Sequence, residues 1–295
     1  MRTLDTVNFS DKKVLIRVDF NVPIDENNRV TDHTRIKAAK PTIDKVLADG
    51  GSCVLMTHLG RPKGVDDNLS LRHIVFEIQT VLGVDIQFSK QTIGPEVEAQ
   101  AKALQPGQIM LLENLRFYDE ETKGDEQFAN ALSTLADCYI NDAFGTAHRA
   151  HASTTIVAQF FPKAKYFGYL LAQEIYAIDR VMSTGEKPVL AVLGGAKVSS
   201  KITIIENILD KVDHLIIGGG MSFTFAKAMG GQIGNSICED DKQELALSIL
   251  RTAKEKDVQI HLPTDVVAGD RFSNEANQQI FPINHIPDGW EGMDA

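Results

Sequence analysis

The stretch KKVLIRVDFNVP, residues 12–23, joins an apolar run to a polar loop and sets a pattern that recurs along the chain. Its first part is rich in Val, Ile and Leu, residues that favour a β-strand. Asp19 and Asn21 come where that run ends, so hydrogen-bonding side chains follow the strand directly. We therefore predict a first strand over residues 12–20, with a polar loop at its carboxyl end.

Apolar runs of this kind alternate with amphipathic stretches of helix length. A helix is predicted to begin at Pro41, a favourable first helical position, and to end at Gly50 and Gly51. Further helices are predicted from Ser70, over residues 94–104 and near 125–135. Strands are predicted over residues 52–58, 84–89, 108–114 and 137–144, and again over 188–195, 214–220 and 258–267. This order predicts parallel sheets with helices on both faces.

The length of 295 residues suits two domains. Residues 169–188 predict one long helix followed by a Ser-Thr-Gly break before a proline and a new strand. We therefore predict an N-terminal domain over residues 1–168, an interdomain helix or hinge over 169–187, and a C-terminal domain over 188–295.

Composition excludes several classes of protein. The chain is 43% hydrophobic and 24% charged, as in globular proteins with a sizeable core. Its net charge of −10 argues against a nucleic acid or an anionic membrane as partner. Neither a signal peptide nor an apolar run of membrane-spanning length is seen, so we expect a cytoplasmic protein. The three cysteines lie far apart without a CxxC pair, which argues against disulfides and zinc.

Polar and basic residues follow four strands of the first half. They are Asp19, Asn21, His58, Arg61, Arg116, His148, Arg149 and His151, and Arg35 follows from the segment after the first strand. The carboxyl ends of parallel strands meet at one edge of a sheet, where ligands bind. Convergent guanidinium groups suit phosphate or carboxylate, because each donates paired hydrogen bonds and stays charged. The pattern predicts a site for a small, multiply charged anion.

Each of these residues also has a purely structural interpretation. A single Arg is more often a surface ion-pair partner, and we predict an ion pair for Arg17 within the first strand. Asp19 and Asn21 could simply turn the backbone at the end of a strand. The histidines could be packed and hydrogen-bonded. The repetition at four strand ends favours the anion site.

The second half adds two glycine turns. Gly194 and Gly195 precede a predicted helix, whose free N–H groups could receive a phosphate. Lys197 and Lys201 are four residues apart, so they share one face if both lie in the first turns of that helix. An exposed helix with solvated lysines is the alternative. The run of glycines around Gly219 could make room for a nucleotide base or ribose, or serve close backbone packing.

Six motifs together resemble the phosphoglycerate kinase family. They are RVDFNVP (17–23), HLGRP (58–62), INDAFGTAHRAHAS (140–153), GGAKVSSK (194–201), GGGMSFTF (218–225) and LPTDVV (262–267). The stretch NDAFGTAHRAHA, residues 141–152, is the most specific of them. One departure is Ser200, which stands where many members have Asp.

The resemblance implies an α/β fold with two Rossmann-like lobes, each a parallel sheet flanked by helices. It implies a monomeric kinase of glycolysis and gluconeogenesis, with phosphoglycerate on the N-terminal lobe and ADP or ATP on the C-terminal one. The residues it implies for phosphoglycerate are Asp19, Phe20, Asn21, Arg35, His58, Leu59, Gly60, Arg61, Arg116 and Arg149. Those it implies for the nucleotide are Gly195, Lys197, Lys201 and Gly219.

The chemistry of phosphoryl transfer agrees with this set of residues. It needs positioning and charge neutralisation more than covalent help, and the attacking carboxylate or nucleotide phosphate is already ionised. We therefore expect Arg35, Lys197 and Lys201 to stabilise the moving phosphoryl group without a general base. Mg²⁺ is expected to be carried by the nucleotide, because the family's metal-binding Asp belongs to a segment beyond Ala295.

We accordingly expect the second lobe to be incomplete in these 295 residues, and phosphoryl transfer by this chain to be impaired. A non-catalytic phosphate-binding module is the alternative function. A nicotinamide-dependent dehydrogenase is disfavoured, because the GxGxxG turn that it needs after a strand is missing from the sequence.

Overall fold

The predicted first strand lies inside a six-stranded parallel sheet. In the computed structural model, which describes residues 4–295, this strand is β1, Lys13–Arg17. The other strands are β2 (Ser52–Met56), β3 (Ile86–Phe88), β4 (Ile109–Leu111), β5 (Cys138–Asn141) and β6 (Lys165–Phe167). The order across the sheet is β3-β4-β2-β1-β5-β6, and every neighbouring pair is parallel.

Helices cover both faces of this sheet, as predicted. The helices in this part of the chain are α1 (Thr34–Ala48), α2 (Val75–Leu82), α3 (Pro95–Ala103), α4 (Asp119–Lys123), α5 (Glu126–Ser133), α6 (Phe144–Ala147) and α7 (Tyr169–Thr184), and α1, α2, α3 and α5 supply the two apolar layers against the sheet. Val14 and Ile16 of β1 belong to one apolar layer with residues of α1 and α2. Leu15 belongs to the opposite layer with residues of α3 and α5. Successive side chains of a strand point to opposite faces, so one apolar run supplies both layers.

The prediction that a helix begins at Pro41 is wrong, because α1 starts seven residues earlier, at Thr34. Ile36 and Ile43 are both fully buried and lie on the same helix face on either side of the proline. Burial of that apolar face outweighs the hydrogen bond that Pro41 cannot donate. The predicted end is confirmed, since Gly50 has the left-handed backbone, at a φ of 85°, that suits a glycine cap.

The second unit begins at Ile178, and the first ends at Ala177. This division falls inside α7, and the domain limits at residues 168 and 187 stay predictions. The strands of the second unit are β7 (Leu190–Gly194), β8 (His214–Gly218), β9 (Gln232–Ile233), β10 (Gln259–His261), β11 (Asp265–Gly269), β12 (Gln278–Pro282), β13 (His285–Ile286) and β14 (Glu291–Asp294). Its helices are α8 (Ile202–Ile208), α9 (Met221–Ala228) and α10 (Gln243–Glu255).

A three-stranded parallel sheet in the order β10-β8-β7 carries the glycine turns of the second unit. The single strand predicted over residues 258–267 is wrong. It is two strands, β10 and β11, separated by Leu262, Pro263 and Thr264. Proline has no N–H to donate to a ladder, so the chain leaves the parallel sheet there. β11 then pairs antiparallel with β12 and β14, an arrangement that the sequence analysis did not predict.

The strand order of the first unit shows where a ligand site is to be expected. From β1 the chain passes to β2 on one side, and later to β5 on the other side. Loops that leave neighbouring strands in opposite directions open a crevice at their carboxyl ends. The loops after β1, β2, β4 and β5 carry the predicted anion-binding residues.

Gly168, which leads into α7, has no room for a larger residue. A Cβ added there would lie 2.1 Å from Cγ of Asp142, whose Oδ1 accepts a hydrogen bond from the Leu171 N–H at 3.1 Å. We expect Gly168→Ala to lower the free energy of unfolding by about 1–3 kcal/mol, measured by urea denaturation. Since the overlap involves the whole Asp142 side chain, including its Cβ at 2.5 Å, the double variant Gly168→Ala, Asp142→Gly should lose less than the sum of the two single losses. Additive losses would show that the overlap is not the cause.

Candidate functional site

Two loops that were predicted to converge are joined by hydrogen bonds at the carboxyl ends of β1 and β2. The N–H of Phe20 donates to Oγ1 of Thr57 at 2.8 Å. The N–H of Gly60 donates to Oδ1 of Asn21 at 2.8 Å. The segments around Asp19 and His58 are therefore held side by side by the protein itself.

Asn114, three residues after the end of β4, is a further polar residue of this site and was not predicted. Its buried side chain donates from Nδ2 to the carbonyl oxygens of Leu59 and Leu69, each at 2.9 Å. Its Oδ1 accepts the N–H of Arg116 at 3.1 Å. One amide thus connects the loop after β2 to the arginine after β4. In the stretch LLENLRF, residues 111–117, only Arg116 was predicted as a site residue. A polar residue such as Asn114 directly after an apolar run also indicates a polar group at the end of a strand.

A cavity of about 360 Å³ lies among the basic residues of the first unit. Its lining comprises Arg61, Pro62, Arg116, Tyr118, Asp119, Thr122, Arg149 and His151. Burial, and then the positive charges of Arg149 and Arg17, lower the pKa of Arg116. A guanidinium group whose neighbours disfavour its charge is stabilised by a bound anion. The cavity therefore has the charge of a phosphate or carboxylate site.

His58 is buried and hydrogen-bonded, as in the structural interpretation given for the histidines. Its Nδ1 lies 3.1 Å from Nη2 of Arg17. A guanidinium can only donate, so Nδ1 must accept, and the ring proton is on Nε2. Burial, and then the charges of Arg17 and Arg116, lower the pKa of His58 to about 2. His58 is therefore a neutral N–H donor at any pH near neutrality.

Arg35 stands in the first turn of α1 and forms an ion pair with Asp19. The same carboxylate accepts the N–H of Asn21 at 3.3 Å. Half of the Arg35 side chain remains exposed, at 50%, so the pair orients it without burying it. Asp19 thus contributes by holding Arg35 in a defined direction.

Arg149 and the two histidines of HRAH follow β5. Nε of Arg149 lies 3.3 Å from Nε2 of the exposed His148. His151 is buried and lines the cavity. Asp19, Asn21, His58, Arg61, Arg116 and Arg149 thus all lie on the loops at this edge of the sheet.

In the second unit, the two predicted glycine turns lie against each other. The N–H of Met221 donates to the carbonyl oxygen of Gly195 at 2.7 Å. A Cβ on Gly219 would lie 3.2 Å from the Gly195 nitrogen, and Gly219 has a left-handed backbone with a φ of 65°. Close backbone packing, the structural alternative for the Gly219 turn, is therefore present where the two turns meet.

The prediction that Lys197 and Lys201 share a helix face is not met. Lys197 precedes a short 3₁₀ turn, Ser199–Lys201, and α8 begins only at Ile202. A Cβ on Gly195 would come within 3.9 Å of Cε of Lys201, so that side chain lies over the glycine turn. Lys197 is exposed. The two ammonium groups are presented by loop geometry rather than by helical spacing.

Glu239 fixes this loop and was not predicted. Its Oε2 accepts the N–H of Ser199 at 3.0 Å, and its Oε1 accepts the hydroxyl of the same serine. Burial would raise the pKa of Glu239, but the hydrogen bonds from Ser199 lower it below its ordinary value. An ionised carboxylate therefore anchors the turn between the two lysines.

Four further features of the described residues bear on function: metal-binding clusters, a second cavity, the cysteines and membrane-spanning helices. Among residues 4–295, no three His, Cys, Asp or Glu side chains come close enough to hold a metal ion. A larger cavity of about 680 Å³ is lined by residues such as Tyr139, Lys165 and Phe167, but by none of the predicted site residues. Cys53, Cys138 and Cys238 are free thiols. Within the described residues, no helix is long and apolar enough to cross a membrane.

Comparison with known proteins agrees with the motif resemblance. The sequence profile described as phosphoglycerate kinase matches residues 4–295. Phosphoglycerate kinases from Porphyromonas gingivalis and Nostoc punctiforme are 48% and 49% identical to the chain, and a cytosolic one from Nicotiana tabacum is 48% identical. These alignments cover 99%, 100% and 99% of this chain, and 76%, 73% and 73% of the three relatives.

Solved structures give the same result. Phosphoglycerate kinase from Coxiella burnetii superposes with a TM-score of 0.78 at 36% identity, covering 99% of this chain and 73% of the other. The enzyme from Pyrococcus horikoshii superposes with a TM-score of 0.79 at 26% identity, covering 99% and 75%. Sequence and fold therefore point to one family.

The lowered pKa of His58 predicts a pH dependence of stability. Below about pH 6.5 the unfolded chain binds a proton on this ring and the folded chain does not. The free energy of unfolding therefore decreases as the pH is lowered. Between about pH 7.5 and pH 5.5, His58→Gln should lose about 1.4 kcal/mol less unfolding free energy than the unmodified chain. Urea denaturation at the two pH values measures this difference. His285→Gln, at an exposed position, is the control; equal pH dependence in all three proteins would contradict the assignment.

Proposed function

This chain belongs to the phosphoglycerate kinase family, and from that premise we propose which of its residues bind each substrate and which stabilise the transferring group of this glycolytic phosphotransferase. The reaction passes a phosphoryl group reversibly between 1,3-bisphosphoglycerate and ADP, giving 3-phosphoglycerate and ATP. We assign the phosphoglycerate to the first unit and the nucleotide to the second.

The observation that carries the first assignment is the basic cavity formed by Arg61, Arg116 and Arg149. Phosphoglycerate has a phosphate at one end and a carboxylate at the other, and forked guanidinium groups bind both well. His58 adds a neutral N–H donor, which suits an oxygen that already carries negative charge. Asn21 supports the site through its hydrogen bond to the Gly60 N–H.

The transfer step needs charge stabilisation rather than proton transfer. In one direction a carboxylate oxygen of 3-phosphoglycerate attacks the terminal phosphorus of ATP, and the bond from that phosphorus to the ADP oxygen breaks. In the other direction an oxygen of the terminal phosphate of ADP attacks the phosphorus of the acyl phosphate, and the bond from that phosphorus to the carboxyl oxygen breaks, leaving the carboxylate. Both attacking groups are ionised, so no general base is required. We assign Arg35, Lys197 and Lys201 to the negative charge that spreads over the transferring group.

The nucleotide is assigned to the two glycine turns of the second unit. Gly195 leaves its backbone open to close approach, and Gly219 supports that turn by packing against the Gly195 backbone. Lys201 lies over the first turn, and Lys197 stands exposed beside it. We assign Mg²⁺ to the phosphates of the nucleotide, and no step is derived through it.

We also propose the cellular setting. The net charge of −10 supports small-molecule substrates without a nucleic-acid or membrane partner. A monomer in the cytoplasm is the simplest arrangement for such a kinase. The tobacco relative is named cytosolic, whereas two Arabidopsis thaliana relatives are named chloroplastic.

A module that only binds phosphoglycerate is the second candidate. All four basic residues around the cavity lie in the first unit, so anion binding there does not depend on the second. ATP formation by the unmodified chain in a coupled assay separates the two candidates.

Removal of the assigned charges should slow the reaction. We expect Arg35→Ala and Lys201→Ala each to lower kcat by about 10²–10³-fold, because a transition-state contact is lost. The coupled assay of ATP formation measures this. Arg72→Ala and Lys254→Ala remove exposed charges from the same two units and serve as matched controls. If the assigned variants turn over like the controls, the roles given to Arg35 and Lys201 are wrong.

Two ligands held by two units must be brought together for the reaction, so we propose closure with α7 as part of a hinge. Closure also excludes water from the transferring group. Small-angle scattering should show a smaller radius of gyration with 3-phosphoglycerate and nucleotide together than with either alone. An unchanged radius with both ligands bound would refute closure.

A further inference from the structure

A full positive charge is buried at the end of β1. Arg17, the last residue of β1, is only 1% exposed. Its Nε donates to Oγ of Ser153 at 2.9 Å, its Nη2 to Nδ1 of His58 at 3.1 Å, and its Nη1 to the carbonyl oxygen of Val18. A buried guanidinium costs several kcal/mol unless a counter-charge and acceptors accompany it. The acceptors are these three groups.

The counter-charge is Glu121, in α4, which is also 1% exposed. Its Oε1 accepts the Ser153 hydroxyl at 2.6 Å, and its Oε2 accepts the Ser153 N–H at 2.9 Å. The hydroxyl therefore accepts a hydrogen bond from Arg17 and donates one to Glu121, and so connects the two charged groups. Burial would raise the pKa of Glu121, but the His151 ring, the Arg17 charge and the Ser153 donors lower it. The carboxylate is thus ionised.

The same carboxylate holds the turn that follows the basic motif of β5. Ser153 belongs to the turn Ala152–Ile156. Within this segment the hydroxyl of Thr154 donates to the carbonyl oxygen of Arg149 at 2.7 Å. The hydroxyl of Tyr139 donates to the carbonyl oxygen of Ser153 at 2.9 Å. Glu121 therefore acts on the position of Arg149 as well as on Arg17.

His151 is close to Glu121 but not bonded to it. Its Nδ1 lies 3.6 Å from Oε1, beyond hydrogen-bond distance, and it is buried without a hydrogen-bond partner. Both carboxylate oxygens of Glu121 are instead committed to Ser153. The strong contacts of Glu121 therefore run toward Arg17 and the Arg149 segment.

We propose that Glu121 is a positioning residue for phosphoglycerate: through Ser153 and Arg17 it fixes the His58 tautomer with the proton on Nε2, and it holds the Arg149 loop in place. The inference rests on the proposed function of the first unit. Without the negative charge, Arg17 would no longer be held against Nδ1 of His58. The ring could then carry its proton on Nδ1 and present an acceptor to an anionic substrate, which repels it.

The test replaces Glu121 by Gln, which keeps the shape and removes the charge. Glu120→Gln, one residue earlier and exposed, is the matched control, and Arg149→Ala is the reference for loss of a direct contact. Titration calorimetry with 3-phosphoglycerate and, separately, with ADP measures both affinities. We expect Glu121→Gln to weaken 3-phosphoglycerate binding by about tenfold or more, the effect of losing a hydrogen bond to a charged group, and to leave ADP binding unchanged.

The His58 tautomer gives a readout that a merely structural role would not move. In ¹⁵N NMR spectra the unmodified chain should show His58 protonated on Nε2, and Glu121→Gln should show a fraction protonated on Nδ1. If Glu121→Gln does not fold, Ser153→Ala removes the hydroxyl relay while both charges stay, and it should shift the tautomer in the same direction.

The outcomes are distinct. Unchanged 3-phosphoglycerate affinity with an unchanged tautomer would overturn the inference. Equal losses for 3-phosphoglycerate and ADP would overturn it too, since they would show a general loosening. If the unmodified chain does not bind 3-phosphoglycerate at all, the proposed function fails, and the tautomer measurement still decides whether Glu121 controls His58.

Discussion

The need to keep a buried guanidinium paired constrains the first unit more than any other interaction. Arg17 ends a central strand, and its hydrogen-bond partners His58 and Ser153 come from the loop after β2 and from the turn after the β5 motif. Ser153 in turn donates to Glu121 of α4. Leaving any one of them unpaired would cost about 1–3 kcal/mol or more. The packing that protects this charge therefore also brings together the loops that carry the predicted anion-binding residues.

Much of this arrangement is visible in the sequence because it depends on local patterns. Apolar runs mark β1, β2 and β5, and the parallel order of the strands requires their polar ends to meet. That is why isolated residues such as Asp19, His58 and Arg149 could be assigned to one site. The same local reasoning placed the start of α1 at Pro41. It failed there because burial of a helix face, a tertiary effect, outweighed the preference of one residue.

The residues that the sequence did not reveal are those whose partners are distant along the chain. Glu121 bonds a serine 32 residues away, Glu239 one 40 residues away, and Asn114 a loop 55 residues away. No spacing rule reports such contacts. Glu121 and Glu239 look locally like polar surface residues, and the position of Asn114 after an apolar run does not say which loop it bonds. They became apparent only when the fold brought both partners together. The basic residues could be predicted because they recur at four strand ends, whereas each supporting residue occurs singly.

The two carboxylate–serine contacts have a consequence for how such a chain can change over generations. Glu121 with Ser153, and Glu239 with Ser199, each join two donors of one serine to two oxygens of one glutamate. A glutamate without its serine leaves a carboxylate short of donors, and a serine without its glutamate leaves two donors short of acceptors. Replacement of one partner alone therefore lowers stability. The members of each pair should therefore be inherited together and replaced together, so that their histories are linked although their positions in the sequence are not.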